Sequence, residues 1–424
     1  MRNRTIIRAG FMILLGLAAL ALLTNSALTG YGRNRLADAQ ARYEKEIGSL
    51  NLRTLMLPPV PDEENATTWL TAGAQALVLF DDEKRTIGRL AERPESGWSA
   101  EEISSLKRIV ERNAAGFAIL DRARSCPRSS FQFDYSHESS ARLPPLLVFL
   151  HAAKLLRCKA AMEFRIGSLD DSTRTIEILG RLAASLEREP MPITLLLGVS
   201  AERLQLSAVQ EIIQSPAATA GLLNRLRASL SPVDLAAQYR RAMIFNGASM
   251  IEAFRGVGTV GETEYRGAFP WAVRQWPDLA AAQFLDLQRK QSRLWGRPYP
   301  VAKASEGSEA RNPFLLRQLD DVYLRDRSEV RGRISSMASN RRLATIGVDL
   351  RIRRLESGFY PPNLAAVPGA LEPDPFTGKP LRFELRADRS AELSSPEAPA
   401  LIRDFALEPQ ISLYVAGCRW ILPR

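Results

Sequence analysis

Most of the residues that could carry chemistry in this chain lack the neighbours that chemistry requires. GVGTVG, residues 256–261, has the spacing of a dinucleotide-binding loop. That loop works only between a strand and a helix, because the pyrophosphate must sit on a helix N-terminus. Here a helical stretch precedes it and ETEYRG follows, so a plain loop is expected. FTGKP, residues 376–380, lacks the first glycine and the Ser/Thr after lysine that a phosphate-binding loop uses, and a proline replaces the helix start. SSLK, residues 104–107, fits S-x-x-K without the S-D-N and K-T-G partners of penicillin-binding enzymes. The acid pairs Asp81/Asp82, Asp170/Asp171 and Asp320/Asp321 do not have EF-hand spacing and read as helix ends or caps.

Two histidines, His137 and His151, cannot build a histidine-rich metal centre, and neither has a second histidine at ligand spacing. The cysteines Cys126, Cys158 and Cys418 fit no zinc pattern and read as small buried apolar residues, with a Cys126–Cys158 bridge open in an oxidising compartment. Glu202 falls on an apolar helical stripe. A general base with a raised pKa is one reading, and an ion pair to an arginine on a facing helix is the expected one. No catalytic residue, cofactor or metal ligand is assigned, although a triad assembled only in space would leave no linear signature.

What would position any such site is a mostly helical chain. Its 424 residues and 46% apolar content suffice for more than one core, and its formal charge of +10 suits either acidic partners or solvated arginine-rich faces. Arg2, Arg4 and Arg8 precede an uncharged stretch, residues 9–30, which matches the ~20 residues a helix needs to cross a bilayer. A retained anchor is expected, with a cleaved signal peptide as the rival. The leading arginines favour a cytoplasmic N-terminus and an extracytoplasmic body, although Arg33, Arg35, Arg42 and Lys45 lie just past the span. Gly10–Phe11 would suit prepilin cleavage, but Leu15 stands where that reaction needs glutamate, so no such processing is expected.

NLRTLMLPPVPD, residues 51–62, reads as a docked linker with Asp62 as N-cap of the next helix, and Ser99 with Glu102 as a capping box. Three apolar stripes follow at helical spacing: Phe149, Ala153, Leu156, Ala160, Phe164; Ile176, Leu179, Ala183, Leu186; and Leu195, Val199, Leu206, Val209, Ile213. Short connections make these helices antiparallel, with Gly167 at the first turn, and no ~34-residue recurrence extends them into a repeat array. Ser231, Pro232 and Asp234 begin another helix running to about Phe254. Residues 312–357 form one long helix, or two end to end, with arginines on its polar faces.

After that helix come SGFYPPNL, PDPFTGKPLRF and the strand-like FEL, ISLYV and CRWIL. Gly358, Tyr360, Pro361, Leu364, Asp374, Pro375, Phe376, Gly378, Pro380 and Phe383, with residues 413–417 as a final strand, resemble the C-terminal region of type II secretion major pseudopilins. That resemblance covers about the last hundred residues and implies a module shape. Phe376 stands where the family has tryptophan, and Asp388 and Glu392 do not match its calcium ligands. The whole chain resembles single-pass bacterial envelope proteins, which implies no activity.

The expected fold class is mainly α: an N-terminal transmembrane helix, an antiparallel helical body and a small C-terminal α/β pseudopilin-like cap. Residues 1–30 form the cytoplasmic tail and anchor, 31–310 the body, and 311–424 the long helix with its module. The expected partners are a lipid bilayer through residues 9–30, an envelope protein, and an anionic surface met by Arg325, Arg331, Arg341 and Arg342; nucleic acid is not expected, because aromatic stacking platforms are missing. The expected place is the bacterial inner membrane. The expected role is binding or scaffolding, with an accessory part of a secretion or pilus-like system and an envelope hydrolase as alternatives.

Overall fold

The first helix, α1, runs unbroken over Arg2–Glu46 and changes character midway. Met12, Leu14, Leu15, Leu17, Leu20, Leu22 and Leu23 all stand exposed, in a helix long and apolar enough to cross a membrane. Further along, Leu36, Ala39, Tyr43 and the following Ile47 recur at three- and four-residue spacing and are buried. Among the described residues the same helix is thus apolar and exposed in its first half and amphipathic in its second. At ~1.5 Å per residue its 45 residues extend about 65–70 Å.

The computed structural model of the chain describes residues 2–132, 146–256, 276–309, 326–395 and 419–423. GVGTVG beyond Gly256, His137, Cys418, Asp320, Asp321, Arg325 and residues 413–417 lie outside them. After α1 come α2 (Leu52–Leu55), α3 (Ala66–Ala76), α4 (Asp81–Ala91), α5 (Ala100–Arg112), α6 (Ala114–Arg122), α7 (Leu146–Arg165), α8 (Leu169–Arg188) and α9 (Pro192–Gln214). Then follow α10 (Ala220–Ser229), α11 (Leu235–Gly256), α12 (Pro277–Ser292), α13 (Tyr299–Glu309) and α14 (Asp326–Ser357). A three-stranded antiparallel sheet closes the fold, with β1 (Arg382–Leu385), β2 (Ala391–Ser394) and β3 (Arg419–Leu422) in that order.

The three expected stripes are buried. Phe149, Ala153, Leu156, Ile176, Leu179, Ala183, Leu195, Val199, Val209 and Ile213 are each at most 2% exposed, and α7, α8 and α9 pack as consecutive neighbours. One core joins α7 and α8 to α3–α6 through Leu70, Ile87, Leu90, Leu106 and Leu120. Another runs from α9, α10 and α11 into α14 and the sheet, so the C-terminal strands share apolar packing with the body. A third holds the second half of α1 against α11 and α12 through Tyr43, Phe254, Phe284 and Leu285.

Two starts differ from the sequence reading. The helix expected to be capped by Asp62 begins at Ala66, and Asn65 is its cap, accepting from Thr67 N at 3.2 Å. Asn65 also donates to Ser130 O at 2.8 Å and accepts from Ser130 N at 3.0 Å, so a contact 65 residues away selects it. In the other, Asp234 alone caps α11, accepting from Ala236 N and Ala237 N, while Ser231 is used elsewhere. The Ser99–Glu102 capping box forms as expected, with bonds of 3.1 and 2.9 Å.

Gly167, Gly358 and Gly378 take positive φ values of 81°, 83° and 74°, ending α7, ending α14 and closing the PDPFTGKP turn. In that turn the Asp374 carboxylate accepts from Thr377 N (3.0 Å), Thr377 Oγ1 (2.7 Å) and Ser395 Oγ (2.7 Å). Tyr299 N donates to Phe376 O at 2.9 Å, and the two rings stack at 5.5 Å. The turn is therefore a clasp between the start of α13 and the sheet. Tyr360 is buried and donates its hydroxyl to Pro423 O at 2.6 Å, which ties the end of α14 to the residue after β3.

Candidate functional site

The densest buried chemistry lies where α8, α9 and α14 meet. Glu187 near the end of α8 and Glu202 in α9 are both 0% exposed. Arg341 of α14 enters between them. Its Nη2 donates to Glu187 Oε2 at 2.9 Å and to Glu202 Oε2 at 2.7 Å, and its Nε bonds Glu202 Oε1, so Glu202 is gripped through both oxygens. Nη1 bonds Val233 O. Ser231 Oγ donates to Glu187 Oε2 at 2.7 Å. The backbone allows this approach because position 198 is glycine: a Cβ there would lie 2.7 Å from Glu187 Cγ and 2.8 Å from Glu187 N.

Two carboxyl groups face one guanidinium, so the cluster is electrically closed only when one acid holds a proton. Burial, and after it the neighbouring Glu202, push Glu187 well above the carboxylate range, against the opposing pull of Arg341 and Ser231. Glu187 Oε2 accepts two hydrogen bonds, while Oε1 has no partner among the described residues. The two carboxyl groups are fully buried, and the Ser231 hydroxyl is engaged in donating to one of them; what the arrangement does is bind α14 to the body.

A testable pH dependence follows from that proton. Above the ordinary glutamate value of about 4.3 the unfolded chain releases it, whereas the folded chain keeps it up to a higher pH. The stabilisation from Glu187 is complete below the ordinary value and is lost as pH rises through the raised folded value, at up to about 1.4 kcal/mol per pH unit. Glu187→Gln removes that slope. Denaturant midpoints of the full chain in non-ionic detergent, compared between wild type and variant from mildly acidic to mildly alkaline pH, measure the difference; parallel curves contradict it.

The sequence-selected residues scatter. Glu202 and Arg341 come together in one cluster. The expected anionic surface on α14 needs correction at Arg331 and Arg341: Arg331 is 4% exposed with its guanidinium over the Tyr299 ring, and Arg341 points into the interior. Both are turned inward because α14 packs against α9, α10 and α11 on several sides, leaving too little solvated circumference for its arginines. Arg342 donates to Gly369 O (2.5 Å), Pro373 O (2.6 Å) and Glu372 (2.7 Å), bracing the segment before the turn.

His151 lies on α7, where burial and the ammonium groups of Lys84 and Lys154 hold its imidazole below the ordinary range, against Asp81. Cys126 and Cys158 are free and buried, so no bridge joins them; burial pushes the Cys158 thiol up to about 12. Ser104 and Lys107 lie on α5, and the acid pairs at 81 and 170 lie in first helical turns. No group of three or more His, Cys, Asp or Glu that could hold a metal is present among the described residues. Glu187 and Ser231 escaped sequence reasoning. Glu187 does continue the α8 stripe, four residues after Ala183, and that interval was the available signal.

Comparison of the chain with protein-family models, with curated proteins and with solved structures finds no match in any of the three.

Proposed function

We propose that this chain is a membrane-anchored binding or scaffold protein, its body carried outside the bacterial inner membrane on α1. The observation that carries the reading is the continuity of that helix: an apolar half, exposed among the described residues, runs without a break into a half locked onto the body. An exposed row of large apolar side chains this long requires an apolar environment, and a bilayer supplies it. The lock is polar as well as apolar. Tyr43 donates to Gln288 at 3.0 Å, Arg35 pairs with Asp286 at 2.7 Å, and Glu46 pairs with Arg289 at 2.9 Å. Trp276, just before α12, donates to Asn25 at 3.2 Å, placing an indole beside the end of the apolar stretch, where membrane interfaces favour one.

A body joined this way stands at a fixed height and angle to the membrane instead of swinging on a linker, which suits a scaffold. Arg2, Arg4 and Arg8 support a cytoplasmic N-terminus. A second reading, an accessory part of a secretion or pilus-like system with a pseudopilin-like cap, is favoured by the order of long helix, Gly358–Tyr360–Pro361 turn, Asp374 loop and antiparallel strands.

The expected result is that the full chain stays with membranes after alkaline extraction, and that a C-terminal tag is cleaved by protease once only the outer barrier is opened. A chain found in the extract, or a tag protected until the inner membrane is breached, overturns anchor or orientation respectively. Crosslinking in the same cells separates the two readings by the partners captured: secretion-system components favour the second.

A further inference from the structure

Beside the buried cluster, a groove of about 330 Å³ opens between α8, α10 and the turn that carries Ser231. Its lining includes the small buried residues Gly180 and Ala184 and is arginine-rich, with Arg124, Arg181, Arg188 and Arg225 beside the single acid Glu177. Glu177 is already shared: Arg124 reaches it at 2.7 Å and Arg225 at 2.9 Å, and these two arginines also hold Asp121 (2.7 Å) and Asp170 (3.0 Å).

Arg181 and Arg188 differ from this pair. Neither has an acidic partner among the described residues; Arg188 reaches only Ser129 Oγ at 3.5 Å, and Arg181 Nε is closed off from solvent with no acceptor. Burial and the charge of Arg188 both work against the Arg181 cation, yet a guanidinium does not give up its proton in proteins. Two guanidinium groups without an acidic partner among the described residues, lining one groove, supply the planar donor forks that bind oxyanions.

We infer that this groove is an oxyanion site in which Arg181 and Arg188 take hold of one phosphate group, with Arg124 and Arg225 fixed at its edge by Glu177. The volume admits a phosphate with a small organic substituent, and the shared chemistry fits a free phosphate ester or a phospholipid headgroup. The inference stands apart from the scaffold reading, because it needs neither an anchor nor a protein partner.

The test uses the full chain in nanodiscs, with amide hydrogen exchange of residues 177–190 and 225–232 as readout. In phosphatidylcholine discs, titrated inorganic phosphate is expected to slow exchange in both segments. In discs containing phosphatidylglycerol, slowed exchange without added phosphate identifies the headgroup as the source. Arg181→Gln weakens the response about tenfold to a hundredfold in either arm, the loss expected for a charge-assisted pair. Arg188→Gln weakens it as well, while Arg108→Gln on α5 leaves it unchanged. Unaltered helical circular dichroism confirms that each variant is folded, and Arg181→Lys, which keeps the charge, retains part of the response should the glutamine variant unfold. No protection in either arm, or equal protection in wild type and Arg181→Gln, overturns the proposal.

Discussion

Replacing Arg341 with methionine is expected to destabilise the folded chain by about 3–5 kcal/mol, the cost of leaving buried acid without its counter-charge. Glu202 loses both donors at once and Glu187 loses one of its two. Val233 O loses its donor as well. Solvent cannot replace them, because both carboxyl groups are fully buried. The effect reaches beyond the cluster, since Arg341 sits in the helix that carries the C-terminal sheet. α14 should loosen from α9 and α11, and exchange of its amides should accelerate first.

The same physics predicts a rescue. Combining Arg341→Met with Glu187→Leu and Glu202→Leu leaves no uncompensated charge, and well-packed apolar replacements of buried ion clusters are often neutral or stabilising. Denaturant midpoints in detergent should therefore fall sharply for the single variant and recover for the triple one. A triple variant as weak as the single would mean that the cluster acts by shape and hydrogen bonding, not by charge balance. A single variant as stable as wild type would remove the cluster from any role in holding α14.

The second large effect is expected at Trp420. Its side chain is 2% exposed, opposite Leu393 in the β2–β3 register and against Gly347 of α14, where a Cβ would come within 3.1 Å of the indole. Trp420→Ala removes the largest side chain that the sheet turns toward the helix and should cost about 3–5 kcal/mol, as aromatic-to-alanine changes in cores do. Because β1 to β3 meet the remainder of the chain mainly through α14 and α9, the loss should be local. Amide exchange should accelerate in β1 and β2 while α7 and α8, most of whose buried residues lie in the other core, keep their protection. Uniform acceleration would show that sheet and body unfold as one unit; unchanged protection would show that Trp420 contributes little. Trp420→Phe should retain much of the stability, since it keeps an aromatic ring in the same layer.

Much of the fold was legible because it rests on local rules. The apolar run in α1, the three stripes of α7 to α9, the Ser99–Glu102 cap and the glycines at 167, 358 and 378 each follow from side-chain period or from a backbone angle that only glycine adopts cheaply. Other elements were not. α12 has no distinctive pattern of its own, yet it is the helix that receives α1. β2 spells Ala-Glu-Leu-Ser, with none of the β-branched or aromatic residues that mark strands, and its state comes from lying between β1 and β3. Asn65 displaced Asp62 as a cap because Ser130 was within reach.

The candidate site divides the same way. From the sequence by itself, Glu202 is an acid among apolar neighbours and must find a cation, because an unpaired buried carboxylate is too costly; Arg341 is one arginine among many on a basic helix. Only the tertiary structure chose Arg341 as that cation, added Glu187 and Ser231, and set Arg181 and Arg188 in the lining of the groove. Helical periodicity is a property of neighbours along the chain, so one dimension records it. Charge compensation between α8, α9 and α14 joins residues up to 154 positions apart, and no local pattern records which partner closes the circuit.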